Sequence, residues 1–288
     1  MYEDYFGFSE NPFSLTPDPK YHFRSATHAN AFELVRYAIA RGEGSIAIVG
    51  GHGMGKTTLC RALVENLDRA NVAALVSAPV DSEQTLLRVL LQEFGVVSRD
   101  VAGRGGVASA TIQALSGTLT EFLLSLATIG AQALVVVDEA QSLPIAVLDR
   151  LRVLSRVEKD HRKLLQVVLV GQTELREVLG NPELRPRDRW ISATNALEPL
   201  SRVETAAYVT HRLAIATGGE AVSFSPGAIA RLHGCTAGVP RLVNVLCDRA
   251  LLAACADRAT CVRSGHVDRA AEALDLERPG RLLLAWAR

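Results

Sequence analysis

The sequence predicts an α/β fold: a parallel sheet with helices over both faces, followed by an all-helical subdomain. Three observations carry that expectation. Apolar, β-branched runs alternate with helical patterns between about residues 26 and 171, and strands that alternate with helices form parallel sheets covered on both sides. The first of these runs breaks into a glycine-rich turn that opens a helix. From about Leu200 onward only helical patterns remain. The expected divisions are an aromatic, proline-rich arm at 1–24, the α/β domain at 25–199, the helical subdomain at 200–276 and a tail at 277–288.

In chain order, the arm holds Tyr5, Phe6, Phe8, Pro12, Phe13, Pro17, Pro19, Tyr21 and Phe23 without periodicity, so it reads as irregular chain. The aromatics need a cover, for which the neighbouring domain is the obvious candidate. The arm either packs there or also walls an adenine pocket. A helix is expected at about 26–41 through Ala31, Leu34, Val35 and Ala38, a strand at Ile46–Val49, and a helix through Leu59, Ala62, Leu63 and Leu67. Val72–Ser77 reads as the second strand. Ser82 caps a helix carrying Leu86, Leu87, Leu90, Leu91 and Phe94, which Gly95 stops.

The segment 98–108 is the most loop-like interior stretch. A helix at about 110–129 precedes the run Ala133–Val137, which ends in Asp138 and Glu139. A helix from about Pro144 to Glu158 and a strand at Leu164–Val170, ending in Gly171-Gln172-Thr173, complete the α/β part. The helical subdomain is expected to hold helices at Glu204–Thr217, Gly227–Cys235 (after Ser225-Pro226), Arg241–Ala256 and, capped by Ser264, on to about Leu274.

Hydrophobic residues make up 48% and charged residues 22% of the 288, a globular balance that excludes a disordered chain. Lys+Arg and Asp+Glu both number 31, so no global basic field asks for nucleic acid. The five cysteines show neither C-x-x-C nor Cys/His ligand spacing, which reads as reduced thiols without zinc. The acidic, aromatic start is the opposite of a secretory leader. The longest apolar stretch, Leu242 to Cys261, is interrupted by Asn244, Asp248, Arg249, Asp257 and Arg258, so no transmembrane segment is expected. These features predict a soluble, cytoplasmic protein.

The chemistry starts at Gly50-Gly-His-Gly-Met-Gly-Lys-Thr-Thr58, which fits G-x-x-x-x-G-K-[ST] at Gly50, Gly55, Lys56 and Thr57. Such a loop turns backbone N–H groups of Gly50, Gly51, His52, Gly53, Met54, Gly55, Lys56, Thr57 and Thr58 toward phosphates at a helix N-terminus. Lys56 reaches the β- and γ-phosphates, and the Thr57 hydroxyl ligates Mg²⁺. The expected ligands are therefore ATP and Mg²⁺. Asp138, at the end of an apolar strand, is placed to hold the metal, and Glu139 to polarise the attacking water as a general base. A Glu there is what separates a hydrolase from a passive nucleotide binder. Gln172 ends the next strand, where it can reach the γ-phosphate or orient the water. Arg241 opens a helix after Gly238-Val-Pro240 and can swing onto the phosphates. Arg185, Arg187 and Arg189 form a cluster that either acts in trans on a neighbouring subunit's nucleotide or is a solvated loop with scattered charges. The histidines, including His52, His161 and His211, form no catalytic or metal constellation.

The order of these motifs resembles the ExeA/GspA-type AAA+ ATPases of bacterial secretion and pilus assembly. The matching segments are Met1-Tyr-Glu-Asp-Tyr-Phe-Gly-Phe8, Asn11-Pro-Phe13, Pro17-Asp-Pro-Lys-Tyr21, Asp138-Glu-Ala-Gln141, Leu151-Arg-Val-Leu-Ser155, Lys163-Leu-Leu-Gln166, Val170-Gly-Gln172, Pro199-Leu-Ser-Arg-Val-Glu-Thr205 and Gly238-Val-Pro-Arg-Leu-Val-Asn244. The resemblance implies an AAA+ core with a helical lid, Gln172 as the sensor-1-like group and Arg241 as sensor 2. It also implies the short form, without the membrane span and peptidoglycan-binding module of longer relatives. The family places Gln-Arg ten and nine residues before the Pro-Leu that opens the lid, and here Arg189-Trp190 stand there. Arg189 is accordingly the residue expected to act in trans, shifted by one position.

The function so implied is Mg²⁺-dependent ATP hydrolysis by a homo-oligomer that drives or regulates assembly of a secretion, pilus or exopolysaccharide machine. Its partner would be a protein of that envelope system, which could bring it to the inner membrane. The alternative is a DNA-associated AAA+ regulator of transposition.

Overall fold

In the computed structural model, which describes residues 2–42, 45–68, 71–77, 79–98, 110–184, 190–217 and 222–276, the apolar runs form one five-stranded parallel sheet. Its strands are β1 (Ser45–Gly50), β2 (Asn71–Val76), β3 (Gln132–Val137), β6 (Leu165–Gly171) and β7 (Ile191–Leu197), in the order β2-β3-β6-β1-β7. Between β3 and β6 lies the two-residue hairpin β4 (Glu158–Lys159) and β5 (Arg162–Lys163), and a short parallel pair, β8 (Ser223–Phe224) and β9 (Cys261–Val262), joins two turns of the helical region.

Chain contacts divide the molecule into two compact units. The sheet unit comprises 26–50 and 59–197; the helical unit comprises 1–25, 51–58 and the chain from 198 onward.

The sheet unit has the helices Ala26–Arg41, Glu83–Glu93, Ile112–Thr128, Ile145–Leu154 and Leu175–Leu179, together with the body of Lys56–Glu65. β1 and β6 are buried at every position, as strands covered on both faces must be. Leu86, Leu87, Leu90 and Leu91 on one helix and Leu115, Leu119 and Leu123 on the next share a core with Val135, Val137, Val167 and Leu169. Each such side chain contributes about 1.5–3 kcal/mol by leaving water. Ser82 caps Glu83–Glu93 through its hydroxyl, which accepts the Thr85 N–H at 3.2 Å.

Two elements differ from the sequence reading. The helix expected from Pro144 to Glu158 ends at Leu154, because Asp160 and His161 take left-handed backbone (φ 51° and 61°) and turn the chain into the β4–β5 hairpin. β7 was not expected at all. It is an edge strand with alternating half-exposed positions, so its apolar signal is weak.

In the helical unit, Arg202–Thr217, Pro226–Thr236, Pro240–Ala256 and Ser264–Ala273 enclose a second core through Leu213, Leu232, Val243, Leu246, Ala250, Leu251 and Val267. The last helix begins at Ser264 itself, with Arg263 in the cap position. Tyr2, Phe6, Phe8 and Phe13 of the arm are part of the same core. The arm is not wholly irregular, since Tyr2–Phe6 forms a short helix and Pro19–Tyr21 a 3-10 turn.

Arg212 fastens the arm. The residue is 5% exposed, and its guanidinium donates to the carbonyls of Pro12 (2.6 Å) and Ser14 (3.1 Å) and to the Tyr208 hydroxyl (2.9 Å) and lies 4.5 Å from the Tyr21 ring centre. Tyr208 passes the chain on by donating to Asn244 Oδ1 at 2.8 Å. A buried cation is tolerated here because carbonyls and aromatic faces replace its water.

Candidate functional site

The glycine-rich loop leaves the buried end of β1 and enters the helix Lys56–Glu65. Gly53 and Gly55 take φ values of 76° and 82°, which L side chains avoid, and such left-handed positions let successive N–H groups converge. Met54 is buried beneath the turn, while His52 is exposed. Lys56, the first helical residue, is only 5% exposed, and its ammonium donates to the Gly51 carbonyl at 3.0 Å. A buried cation at a helix N-terminus suits anionic oxygen.

Arg241 belongs to the same unit and touches this loop. Its backbone N–H donates to the Gly53 carbonyl at 3.1 Å. A Cβ on Gly53 would stand 2.8 Å from Arg241 Cβ and 3.2 Å from Val239 Cγ1, so position 53 has no room for a side chain. The expected phosphate loop and the expected lid arginine are thus brought together through backbone.

The acidic group forms in the sheet unit. Past the end of β3, the Asp138 N–H continues the ladder to the Val76 carbonyl at 2.9 Å, and Asp138 Oδ1 accepts the Glu139 N–H at 2.9 Å. Glu139 has left-handed backbone (φ 51°, ψ 38°), as do Asp160, His161, Ala237, Arg258 and Asp275 among the described non-glycine residues. Its carboxylate Oε2 accepts from Gln141 Nε2 at 2.6 Å and from Gln172 Nε2 at 3.4 Å. Glu139 and Gln172, the expected base and the expected polar strand end, are therefore neighbours. The contribution of Gln141 has no signal in spacing or periodicity and emerges only from the contact.

The Thr57 hydroxyl in the helical unit and the Asp138 carboxylate in the sheet unit are each hard oxygen donors, the type Mg²⁺ accepts. Among the described residues no group of three or more His, Cys, Asp or Glu could hold a metal ion. Arg185, Arg187 and Arg189 lie outside the described residues, as do the tail from 277 and most of the loop-like stretch 98–108.

The parallel order β2-β3-β6-β1-β7, the loop after β1 and the helices that follow in the chain define an AAA-type P-loop fold. Residues 39–179 match the AAA domain family. More particularly, the chain is 38% identical over 271 residues, 94% of its length, to General secretion pathway protein A of Aeromonas hydrophila, and it spans 48% of that protein. It therefore covers about half of the curated relative it matches.

Solved structures share the fold. The Aeropyrum pernix ORC2 protein superimposes with a TM-score of 0.65 at 18% identity, covering 94% of this chain and 72% of that one. Cdc6p from Pyrobaculum aerophilum gives 0.68 at 16% identity, with 91% and 70% covered. The Thermotoga maritima RuvB Holliday junction branch migration motor gives 0.55 at 19%, with 88% and 70% covered.

Among the described residues no helix is long and apolar enough to cross a membrane.

Proposed function

We propose that this protein is a Mg²⁺-dependent ATPase whose cycle of nucleotide binding and hydrolysis works on a protein assembly of the secretion or pilus type. The observation that carries the reading is the buried Lys56 ammonium at the start of a helix, in a loop that fits the phosphate-binding pattern at every fixed position. Residues 50–58 cradle the triphosphate and Lys56 neutralises its β- and γ-oxygens. Thr57 and Asp138 hold Mg²⁺, which when bound offsets the charge on those oxygens. Glu139 takes the proton of the attacking water, Gln172 orients that water, and Arg241 answers the phosphate charge. Arg189 is the candidate to act on a neighbouring subunit, which makes the working form a homo-oligomer in the cytoplasm. The secretion assignment rests on the identity with General secretion pathway protein A.

Two variants test the chemistry. Lys56→Ala should abolish ATP binding in calorimetry, and unchanged affinity would refute the phosphate cradle. Glu139→Gln should bind ATP yet lose about 10²–10⁴-fold in turnover, the usual contribution of a positioned base. Sedimentation with and without ATP tests the oligomer. ATP-dependent binding of duplex DNA with a steep salt dependence would move the assignment toward a DNA-associated regulator.

A further inference from the structure

We propose that Gln141 is a positioning residue that sets which oxygen of Glu139 is presented to the water; this rests on the reading of Glu139 as the general base. The side-chain amide of Gln141 is engaged at both ends. Its Nε2 donates to Glu139 Oε2 at 2.6 Å, and its Oε1 accepts the backbone N–H of Gln172 at 3.0 Å. A flipped amide would set NH₂ against the Gln172 N–H, so only one orientation satisfies both contacts. Gln172 Nε2 approaches the same carboxylate oxygen at 3.4 Å.

The result is asymmetric. Glu139 Oε2 is held by two amides, while Oε1 accepts no hydrogen bond among the described residues and is the oxygen left to take a proton. Glu139 is otherwise an exposed side chain with several torsions to lose, and a base that wanders loses the oriented geometry that speeds the step. The surroundings also serve this contact. The Ser142 hydroxyl donates to the Glu139 carbonyl at 2.5 Å and Asp138 Oδ1 takes its N–H, which together hold the left-handed backbone. Gly171 leaves the space that the amide occupies, since a Cβ there would come within 2.6 Å of Gln141 Oε1. One amide thereby links the end of β6, where Gln172 begins, to the carboxylate.

Gln141→Glu is the informative variant. It has the same shape and keeps an acceptor for the Gln172 N–H, but turns a carboxylate oxygen toward Glu139. The expected result is a fall in kcat of about tenfold or more with ATP Kd changed by less than about twofold. Unchanged kcat in Gln141→Glu, with Glu139→Gln inactive, would overturn the positioning role and leave Glu139 as base. Full turnover in Glu139→Gln would overturn the base and this proposal with it. Gln141→Ala is measured beside them: a lower melting temperature with unchanged kcat in the folded protein means a merely structural contact and also overturns the proposal.

Discussion

The backbone N–H of Arg241 donates to the carbonyl of Gly53 at 3.1 Å, which ties the first turn of a helix in the helical unit to the phosphate loop. This contact is independent of the arginine side chain. Arg241→Ala therefore keeps the backbone N–H that holds the helix start on the loop and removes the side chain beyond Cβ. Arg241→Ala should fold normally and bind ATP about 10- to 100-fold more weakly, the effect of losing one hydrogen bond between charged groups of about 1.5–3 kcal/mol. Calorimetry with ATP and ADP checks it, and equal affinity for both variants would remove Arg241 from the phosphate site.

Gly53→Ala attacks the same contact from the loop. The residue has φ 76°, and its new Cβ would meet Arg241 Cβ at 2.8 Å. Backbone strain and displacement together should cost about 1–3 kcal/mol of stability and weaken ATP binding. Denaturant unfolding and calorimetry on the same protein measure both.

The sequence was enough to set the loop, Asp138, Glu139, Gln172 and Arg241 at the starts or ends of regular elements, where the fold has them. It did not disclose β7, whose Ser192, Thr194 and Asn195 dilute the strand pattern. In the folded chain Ser192 Oγ donates to the Ser45 carbonyl (3.0 Å) and Asn195 Nδ2 to the Thr27 carbonyl (3.2 Å), so these polar residues are used at an edge. Nor did it disclose the contacts of Arg212 or Gln141. Both act through partners distant in sequence, the arm carbonyls about 200 residues away and the β6 end 31 residues away. Periodicity reports which face of a helix is covered, and it carries no information about what covers it.

Arg212→Ala tests the fastening of the arm. It would leave the Pro12 and Ser14 carbonyls without this donor and the Tyr21 and Phe13 rings without the cation. A loss of about 2–4 kcal/mol is expected, from charged hydrogen bonds and packing combined. Limited proteolysis should then cut first within residues 9–24, and an arm as resistant as in the wild type would show that the aromatic core holds it unaided.

His211 gives the helical unit a pH dependence. It packs tilted on Phe23 with ring centres 5.7 Å apart, and its Nε2 has no partner among the described residues. Burial, with the charge of Arg212 beside it, holds its pKa below the ordinary value of about 6.5. A depressed folded pKa means that the unfolded chain takes up the proton first. Its contribution to stability is therefore present above about pH 6.5 and is lost as the pH falls from there through the lower folded value. The melting temperature should drop between about pH 7.5 and 5.5. His211→Phe should show a smaller drop, and an identical drop would assign the effect to other groups.

The fit of Gln141 against Gly171 predicts a coupling. A Cβ at 171 would lie 2.6 Å from Gln141 Oε1, 2.9 Å from Leu175 Cδ2 and 3.2 Å from Leu175 Cβ. In the wild type, Gly171→Ala must displace the amide that accepts the Gln172 N–H, with a cost of about 1–3 kcal/mol from overpacking and a slower hydrolytic step. In a Gln141→Ala background the first clash is gone and only the contacts with Leu175 remain, so the same substitution should cost less. Residues in contact typically couple by about 0.5–3 kcal/mol, which a double-mutant cycle by urea unfolding can resolve. Strictly additive losses would mean that Gly171 is required by Leu175 alone. The link from the β6 end to Glu139 would then depend on the hydrogen bonds of Gln141 and not on the space that Gly171 leaves.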